Sequence, residues 1–320
     1  MRKTKFVLLM LIILVSFAMV RVFGGTSQGS ISSGENDQRL LVPSAENALA
    51  DSATANGDGG AGVLSQNVIS SSSVVINGAS GNCDLNLTAS EGLVRLFGQN
   101  YSLAEFNANN HWPLASITKL MTAIVAYENM NLQKNITFSS EAASLEGSAG
   151  DFKAGETFKA SDIMKAMLML SSNRAAEALA EDFGKDKFIS LMNQKAKELS
   201  LSDTAYFDPT GLSSSNQSTA NDIYKLASYI YNTHPEIFSI TRQAKTYIVE
   251  LNSHKKRLIT NINQFAGQAN FIGGKTGFID ESQGNLVSVF KIDNQVVITV
   301  ILGSQDRFGE TKKLLNCANL

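Results

Sequence analysis

The 320 residues carry 27 Lys+Arg against 29 Asp+Glu, a formal net charge of -2, and 43% of them are hydrophobic and 18% charged. That balance suits one domain with an ordinary core plus some uncommitted sequence, and it leaves no basic excess to neutralise phosphates, which argues against nucleic acid as a partner. Two cysteines, Cys83 and Cys317, and three histidines, His111, His234 and His254, are too few and too dispersed for a zinc cluster, so no metal site is expected.

The amino terminus reads as a targeting segment, because Arg2, Lys3 and Lys5 precede the apolar run 6–20 and Arg21 interrupts it. The run is short for a bilayer span and typical of a signal h-region, with Val22 and Gly24 as a passable cleavage pair. Residues 1–23 are therefore either a cleaved signal peptide or a retained membrane anchor, and the chain is expected outside the cytoplasm, in the cell envelope. Residues 24–75, rich in Gly, Ser, Ala, Asn and Asp without periodicity, cannot bury a core and are expected to form a disordered linker. If the anchor is retained, about 60 flexible residues reach roughly 40–45 Å, from about 5–6 Å times the square root of length. In an exported protein Cys83 and Cys317 either form a disulfide joining the first segment of the domain to its last, or remain two buried thiols.

The folded domain is expected over 76–320. Residues 92–97 and 101–107, separated by Gly98-Gln99-Asn100, predict a hairpin. A helix follows, with Pro113 near its start and Ile117, Leu120, Met121, Ile124 and Val125 at the spacing of a buried stripe. A second helix is expected from the caps Ser161-Asp162 through Ile163, Met164, Met167 and Leu168 to about Leu170, ending at Ser171-Ser172-Asn173. Helical periodicity recurs over 174–183, 186–199 and 220–231. Strand character returns over 271–279, 285–292 and 296–302, with Asp293-Asn294 as a hairpin turn signal, and 310–318 reads as a closing helix. Strands, a block of helices, strands and a final helix, without βαβ alternation, predict an α+β fold. Its antiparallel sheet is assembled from both ends of the domain and covered by helices, beside a mainly helical subdomain.

Ser116 and Lys119 stand three residues apart at the start of the predicted buried helix, so hydroxyl and amine share one face. A neutral lysine can take the hydroxyl proton if burial or a second cation depresses its pKa. Alone, the pair reads equally as a cap-like serine with a lysine one turn on. Its significance comes from order: Ser116-Ile117-Thr118-Lys119 precedes Ser171-Ser172-Asn173, which precedes Lys275-Thr276-Gly277. This is the S-x-x-K, S-x-N, K-T-G set of penicillin-binding proteins and serine β-lactamases. In acyl transfer Ser171 can relay a proton to the leaving amine, and Asn173 can bond a substrate amide and the lysine amine. Lys275 and Thr276 offer charge and a hydroxyl to a terminal carboxylate, Lys275 helping to depress Lys119. Gly277 lets the strand approach the substrate backbone. A P-loop reading of Gly274-Lys275-Thr276 fails, because Ala269 stands where that motif needs glycine.

With these motifs, the chain resembles the low-molecular-mass penicillin-binding proteins, the D-alanyl-D-alanine carboxypeptidases and endopeptidases of the S11 peptidase type, over about residues 91–315. The likeness includes Pro113-Leu114-Ala115, the run Tyr206-Phe207-Asp208-Pro209-Thr210-Gly211-Leu212, Ser218-Thr219-Ala220-Asn221-Asp222, Asn261-Ile262-Asn263 and residues 303–310. It implies a serine β-lactamase/transpeptidase-like fold and an acyl-enzyme on Ser116 that water hydrolyses. It also implies an oxyanion hole of the Ser116 and Phe278 N–H groups, action on peptidoglycan stem peptides, β-lactams as covalent inhibitors and no cofactor. Ile279 and Ser282-Gln283 depart from the usual threonine and Ala-Gly pair. The extra β-rich carboxy-terminal domain of many carboxypeptidases is not expected, and Arg174-Ala175-Ala176 is closer to single-domain endopeptidases.

The resulting expectation is a serine-type D-Ala-D-Ala carboxypeptidase, with a cross-link-cutting D,D-endopeptidase as the alternative. A class A β-lactamase would carry a deacylating glutamate in an E-x-x-L-N segment; none lies between Asn173 and Lys275, and Glu250-Leu251-Asn252 has the wrong spacing. A non-catalytic wall-binding module has no use for an intact Ser116, Lys119, Asn173 and Lys275.

Overall fold

The computed structural model describes residues 74–76, 86–147 and 149–320. The expected signal or anchor over 1–23, residues 24–73 of the linker expected over 24–75, and Cys83 lie outside the described residues; the end of that linker is corrected, because Val75 pairs with Glu105 as the edge strand of the main sheet.

A six-stranded antiparallel sheet forms the frame, in the order Val75–Ile76, Ala104–Phe106, Glu91–Leu96, Gln295–Ser304, Gln283–Ile292 and Phe271–Ile279. The expected hairpin is present, with Gly92 opposite Phe106 and Val94 opposite Ala104. Strands from the two ends of the domain meet in the middle, where Glu91–Leu96 pairs with Gln295–Ser304. The turn Asp293-Asn294 has positive φ at both residues, 47° and 63°, as a two-residue type I′ hairpin requires.

Both faces of the sheet are covered, which explains strands that read as nearly unbroken apolar runs. Leu93, Val287, Val289, Ile298, Val300 and Leu302 join the core of the helical subdomain. Val94, Val297 and Ile301 face the other way, onto Leu314 of the closing helix Arg307–Cys317. Beside them Phe265, Phe271, Leu286, Phe290 and Phe308 form an aromatic cluster. Burying each such side chain contributes roughly 1.5–3 kcal/mol, more than the ~1 kcal/mol span of strand propensity, so packing decides which residue faces which side. Cys317 ends the closing helix and is disulfide-bonded.

The helices over Asn173–Phe183, Lys185–Glu198 and Ala220–Thr233 match the periodicity within a few residues. The second helix differs at its start. It spans Ala160–Met169 with Lys159 at the N-cap and no side-chain cap; Asp162 lies inside it, bonding Lys165 Nζ at 2.7 Å and Val249 N at 3.0 Å. The capping rule fails there because the strand Thr157–Lys159 runs directly into the helix and Asp162 is committed to a tertiary contact. Short periodicity also hid the helix Pro235–Thr241 and the hairpin of Lys245–Val249 with Lys256–Thr260. Arg257 of that hairpin stacks over Phe152 and Phe158, at 5.2 and 5.3 Å from the ring centres, and so ties it to the helical subdomain.

Candidate active site

Pro113 does not open the nucleophile helix. Trp112–Pro113 pairs as a two-residue strand with Gln217–Ser218, a 3-10 turn Ala115–Thr118 follows, and the α-helix runs Lys119–Asn129 with Ile117, Leu120, Met121, Ile124 and Val125 buried as expected. Ala115, just before the nucleophile, has φ 47°, and Ser171 has φ 60°. Left-handed backbone costs a non-glycine residue about 1–2 kcal/mol, and here it falls beside two motif serines, where surrounding contacts must hold it.

Those contacts come from three sides. Asn285, fully buried in the strand Gln283–Ile292, donates to the carbonyls of Pro113 at 2.8 Å and Leu114 at 3.1 Å while accepting from Gly303 N. Gly277 on the edge strand comes so close that a Cβ there would meet Leu114 O at 2.8 Å and Ser116 N at 3.2 Å. Its missing side chain thus serves the nucleophile's own backbone before any substrate. The third side is the loop 208–213, drawn into a tight turn by Asp208, whose Oδ1 accepts from Thr210 N, Thr210 Oγ1 and Gly211 N at 2.6 Å each. Thr122 Oγ1 donates to Pro209 O at 2.6 Å, and Asn216 bonds both Thr118 Oγ1 and Asp208 O, which locks that loop to the nucleophile helix.

The loop's purpose is visible in the partners of Lys119. Its Nζ, fully buried, lies 2.8 Å from Ser116 Oγ, 2.7 Å from Asn173 Oδ1, and bonds the carbonyl oxygen of Thr210. Burial lowers this amine to about 7, against an opposing pull from Asp208. Thr210 O can only accept, and Asn173 is oriented by its Nδ2 donating to Glu146 O at 3.0 Å, so its Oδ1 also accepts. A neutral Lys119 has two N–H groups for those two oxygens, and its lone pair is left for the Ser116 hydroxyl.

Lys275 is equally buried and donates to Ser171 Oγ and Thr276 O, both at 2.8 Å. Its amine lies well below the ordinary lysine value, through burial first and then through repulsion from Lys119 and Arg307. For Lys119, too, burial is the first cause of the lowered value, and the Lys119–Lys275 repulsion adds to the depression of the pair. Arg307, itself lowered by burial, donates from Nη1 to Gly277 O at 2.7 Å. Among the described residues no carboxylate pairs with Lys119, Lys275 or Arg307.

Ser116, Lys119 and Asn173 are thus directly bonded, and Ser171 and Lys275 form a second bonded pair. Thr276 is buried on the same edge strand, and Phe278 presents an exposed ring beside the turn that follows. Arg174 bonds Leu145 O and Phe152 O and braces the segment carrying Glu146, the partner of Asn173. Gly274-Lys275-Thr276 lies within a strand, as the failed P-loop reading requires. Glu250 holds a hairpin turn instead of facing the nucleophile. It accepts from Ser253 N and Oγ at 2.6 Å and from Thr157 N at 3.0 Å, and these bonds lower its carboxyl to about 2.

Residue patterns did not assign roles to Asp208, Thr210, Gly211, Asn216, Asn285 or Arg307. The signals were present: Asp-Pro-Thr-Gly is a turn sequence, and Asn285 is an amide at the head of an apolar strand.

The profile of the D-alanyl-D-alanine carboxypeptidase family of S11 peptidases matches residues 99–306. A D-alanyl-D-alanine endopeptidase of Haemophilus influenzae is 35% identical over 201 residues, covering 61% of this chain and 68% of that protein. The D-alanyl-D-alanine carboxypeptidase DacF of Bacillus subtilis is 30% identical over 224 residues, 66% of this chain and 57% of that protein. Among solved structures, penicillin-binding protein D2 of Listeria monocytogenes in its ampicillin-bound form superposes with a TM-score of 0.65 at 28% identity, covering 74% of this chain and 100% of that one. A D-alanyl-D-alanine carboxypeptidase of Mycobacterium tuberculosis shares the fold with a TM-score of 0.68 at 23% identity, over 73% of this chain and 92% of that one.

Proposed function

From the premise that this chain belongs to the S11 family of D-alanyl-D-alanine carboxypeptidases and endopeptidases, we propose that it is a serine D,D-peptidase of peptidoglycan stem peptides with Ser116 as nucleophile. The observation that carries this reading is the placement of Lys119 Nζ 2.8 Å from Ser116 Oγ, held there by the two acceptors Thr210 O and Asn173 Oδ1.

In the first step Lys119 takes the Ser116 proton as Oγ attacks the carbonyl carbon of the penultimate D-alanine. The Ser116 and Phe278 N–H groups receive the developing oxyanion. The C–N bond then breaks, and the leaving amine takes the proton that Lys119 received, relayed through the Ser171 hydroxyl, which leaves Lys119 neutral for the second step. Water hydrolyses the Ser116 ester with Lys119 as base, which returns the proton to Ser116. Lys275, Thr276 and Arg307 are the recognition end: cations without a protein carboxylate suit a substrate carboxylate, whose charge also favours the protonated form of Lys275.

Acting on peptidoglycan places such an enzyme in the cell envelope, and the reading has residues 1–23 directing export and residues from 76 onward forming the catalytic domain. No helix among the described residues is long and apolar enough to cross a membrane. Because penicillin-binding protein D2 is known with ampicillin and with cefotaxime bound, β-lactams are the natural probe. Labelled penicillin should acylate Ser116 and dissociate slowly; absence of label at Ser116 would sink the enzyme reading, and rapid release of opened penicillin would make the protein a β-lactamase.

A further inference from the structure

A cleft of about 380 Å³ is lined by His111, Asp203, Phe207, Ser215 and Gln217, among others. Two elements that it shares with the active site fix its place. Gln217 belongs to the two-residue strand paired with Trp112–Pro113, which follows His111 and leads into the turn of Ser116. Phe207 opens the loop that holds Lys119: its N–H and that of Asp208 both donate to Asn216 Oδ1, at 2.7 and 3.3 Å. Gly211 of the same loop lies so near the nucleophile that a Cβ there would stand 3.0 Å from Ser116 N. Phe207 and Gly211 are four positions apart, so at most roughly 14 Å of chain separates the wall of the cleft from the backbone beside Ser116.

The lining has the chemistry of a sugar site. The ring of Phe207, 61% exposed, offers a flat apolar face that can pack on the C–H face of a pyranose. The only charges around it are balanced, with His111 Nε2 3.4 Å from Asp203 Oδ1, and among the described residues no lysine or arginine lines the cleft. Such a lining gives a phosphate or a carboxylate nothing to pair with. Ser215 Oγ and Gln217 Oε1 have no partner among the described residues, and Gln217 Nε2 makes only a long bond to Ser214 O at 3.4 Å. Hydroxyl, carboxamide, imidazole and carboxylate together supply the mixed donors and acceptors that ring hydroxyls and an acetamido group require. The volume falls within the range of small-molecule sites, about 300–1,000 Å³.

We propose that this cleft is a saccharide subsite, which holds an N-acetylated sugar of the glycan strand while the stem peptide attached to that sugar reaches Ser116. The inference rests on the D,D-peptidase reading and adds to it the part of the substrate that does not react. The roughly four residues between that sugar and the attacked carbonyl span up to about 14 Å when extended, which covers the most that can separate the Phe207 wall from the nucleophile. Neither His111 nor the Phe207 ring takes part in the hydrogen bonds of Ser116, Lys119, Asn173 or Lys275, so sugar binding is separable from the chemistry.

The full-length protein is compared with a His111→Ala/Phe207→Ala variant, which keeps the backbone bonds of the loop, in two assays. One measures kcat/KM on a stem peptide ending in D-alanyl-D-alanine, free and attached to its disaccharide. The other measures retention on glycan strands stripped of stem peptides. Wild type should favour the sugar-attached peptide about 10-fold or more, through ring packing and hydrogen bonds, and should be retained by the stripped strands. The variant should treat both peptides alike and lose retention. Its hydrolysis of the free peptide and its penicillin acylation, which also report a folded site, should stay unchanged. No preference or no retention in wild type overturns the inference, as does a preference or retention that survives in the variant, or an equal loss on both peptides; D-alanine release and penicillin uptake would then still keep the D,D-peptidase reading. A wild-type protein that takes up no penicillin and cuts neither peptide, yet is retained on the strands through His111 and Phe207, keeps the sugar site and overturns the peptidase reading instead.

Discussion

Gly211 lies directly beneath the peptide of Ala115: with φ 83° it leaves no room for a side chain, and a Cβ there would overlap the Ala115 carbonyl. Both the left-handed backbone and the overlap oppose any larger residue. Gly211→Ala must push the Ala115–Ser116 peptide away, and a displacement of about 1 Å at a reacting group lowers rates about 100-fold. Penicillin acylation of Gly211→Ala should fall by that order, measured by stopped-flow or labelled-drug kinetics. An unchanged rate would mean that the 208–213 loop does not position Ser116.

With Lys119 as the proposed base, the pH dependence follows from its amine: lowered to about 7, it can accept a proton only when neutral, so the acylation rate should rise about 10-fold per pH unit below 7 and level off above it. Lys119→Arg stays protonated throughout, should lack the rising limb, and should lose about 10²–10⁴ in rate. Stability follows the same proton. The unfolded lysine titrates near its ordinary 10.5, so between 7 and 10.5 the unfolded state binds more protons and the fold gains stability as pH rises. Lys119→Met should lack that gain when melting is compared at pH 7 and pH 10.

Arg307 should matter only for substrates with a free carboxylate. A charge-assisted bond contributes about 1.5–3 kcal/mol, so Arg307→Gln should lower kcat/KM about 10- to 100-fold on a free-acid stem peptide. On the same peptide amidated at that carboxylate, wild type and variant should converge. A similar loss on both peptides would assign Arg307 to holding Gly277 instead.

Glu91 is a buried carboxyl outside the mechanism, fully enclosed, with one oxygen accepting from Ala220 N at 3.3 Å and the other unpartnered. Burial raises it to about 8 against the Ala220 bond. Its folded value exceeds the unfolded one, so the folded state holds the extra proton and stability falls as pH rises from 4.5 to 8. Glu91→Gln keeps the acceptor and removes the charge. It should match wild type at pH 4 and exceed it above pH 8, by about 1–3 kcal/mol if the cost is that of an unsatisfied buried group; chemical denaturation at both pH values would show it.

Periodicity located most of the long elements, because helices such as Ala220–Thr233 and strands such as Gln295–Ser304 bury regular faces that leave a repeat in the residue order. It could not show Pro235–Thr241, a helix of 7 residues, or that Asp162 would be drawn inside its helix by Val249. The contact of Ser116 with Lys119 was legible because it is local, one turn apart. The Asn173 bond to Lys119 was also expected from the motifs, but the bond to the Thr210 carbonyl was not, because it joins residues 91 positions apart.

The strand order has a mechanical consequence. Phe271–Ile279, which carries Lys275 and Gly277, is one edge of the sheet, and Val75–Ile76 is the other. At roughly 4.8 Å per strand, about 24 Å of hydrogen-bonded sheet separates them. Two short pairings come first from the Val75–Ile76 edge, and three longer antiparallel pairings follow before the strand of Lys275 and Gly277. Fraying at the Val75–Ile76 edge, where the pairing is only two residues long, therefore starts at the edge opposite the one that carries Lys275 and Gly277.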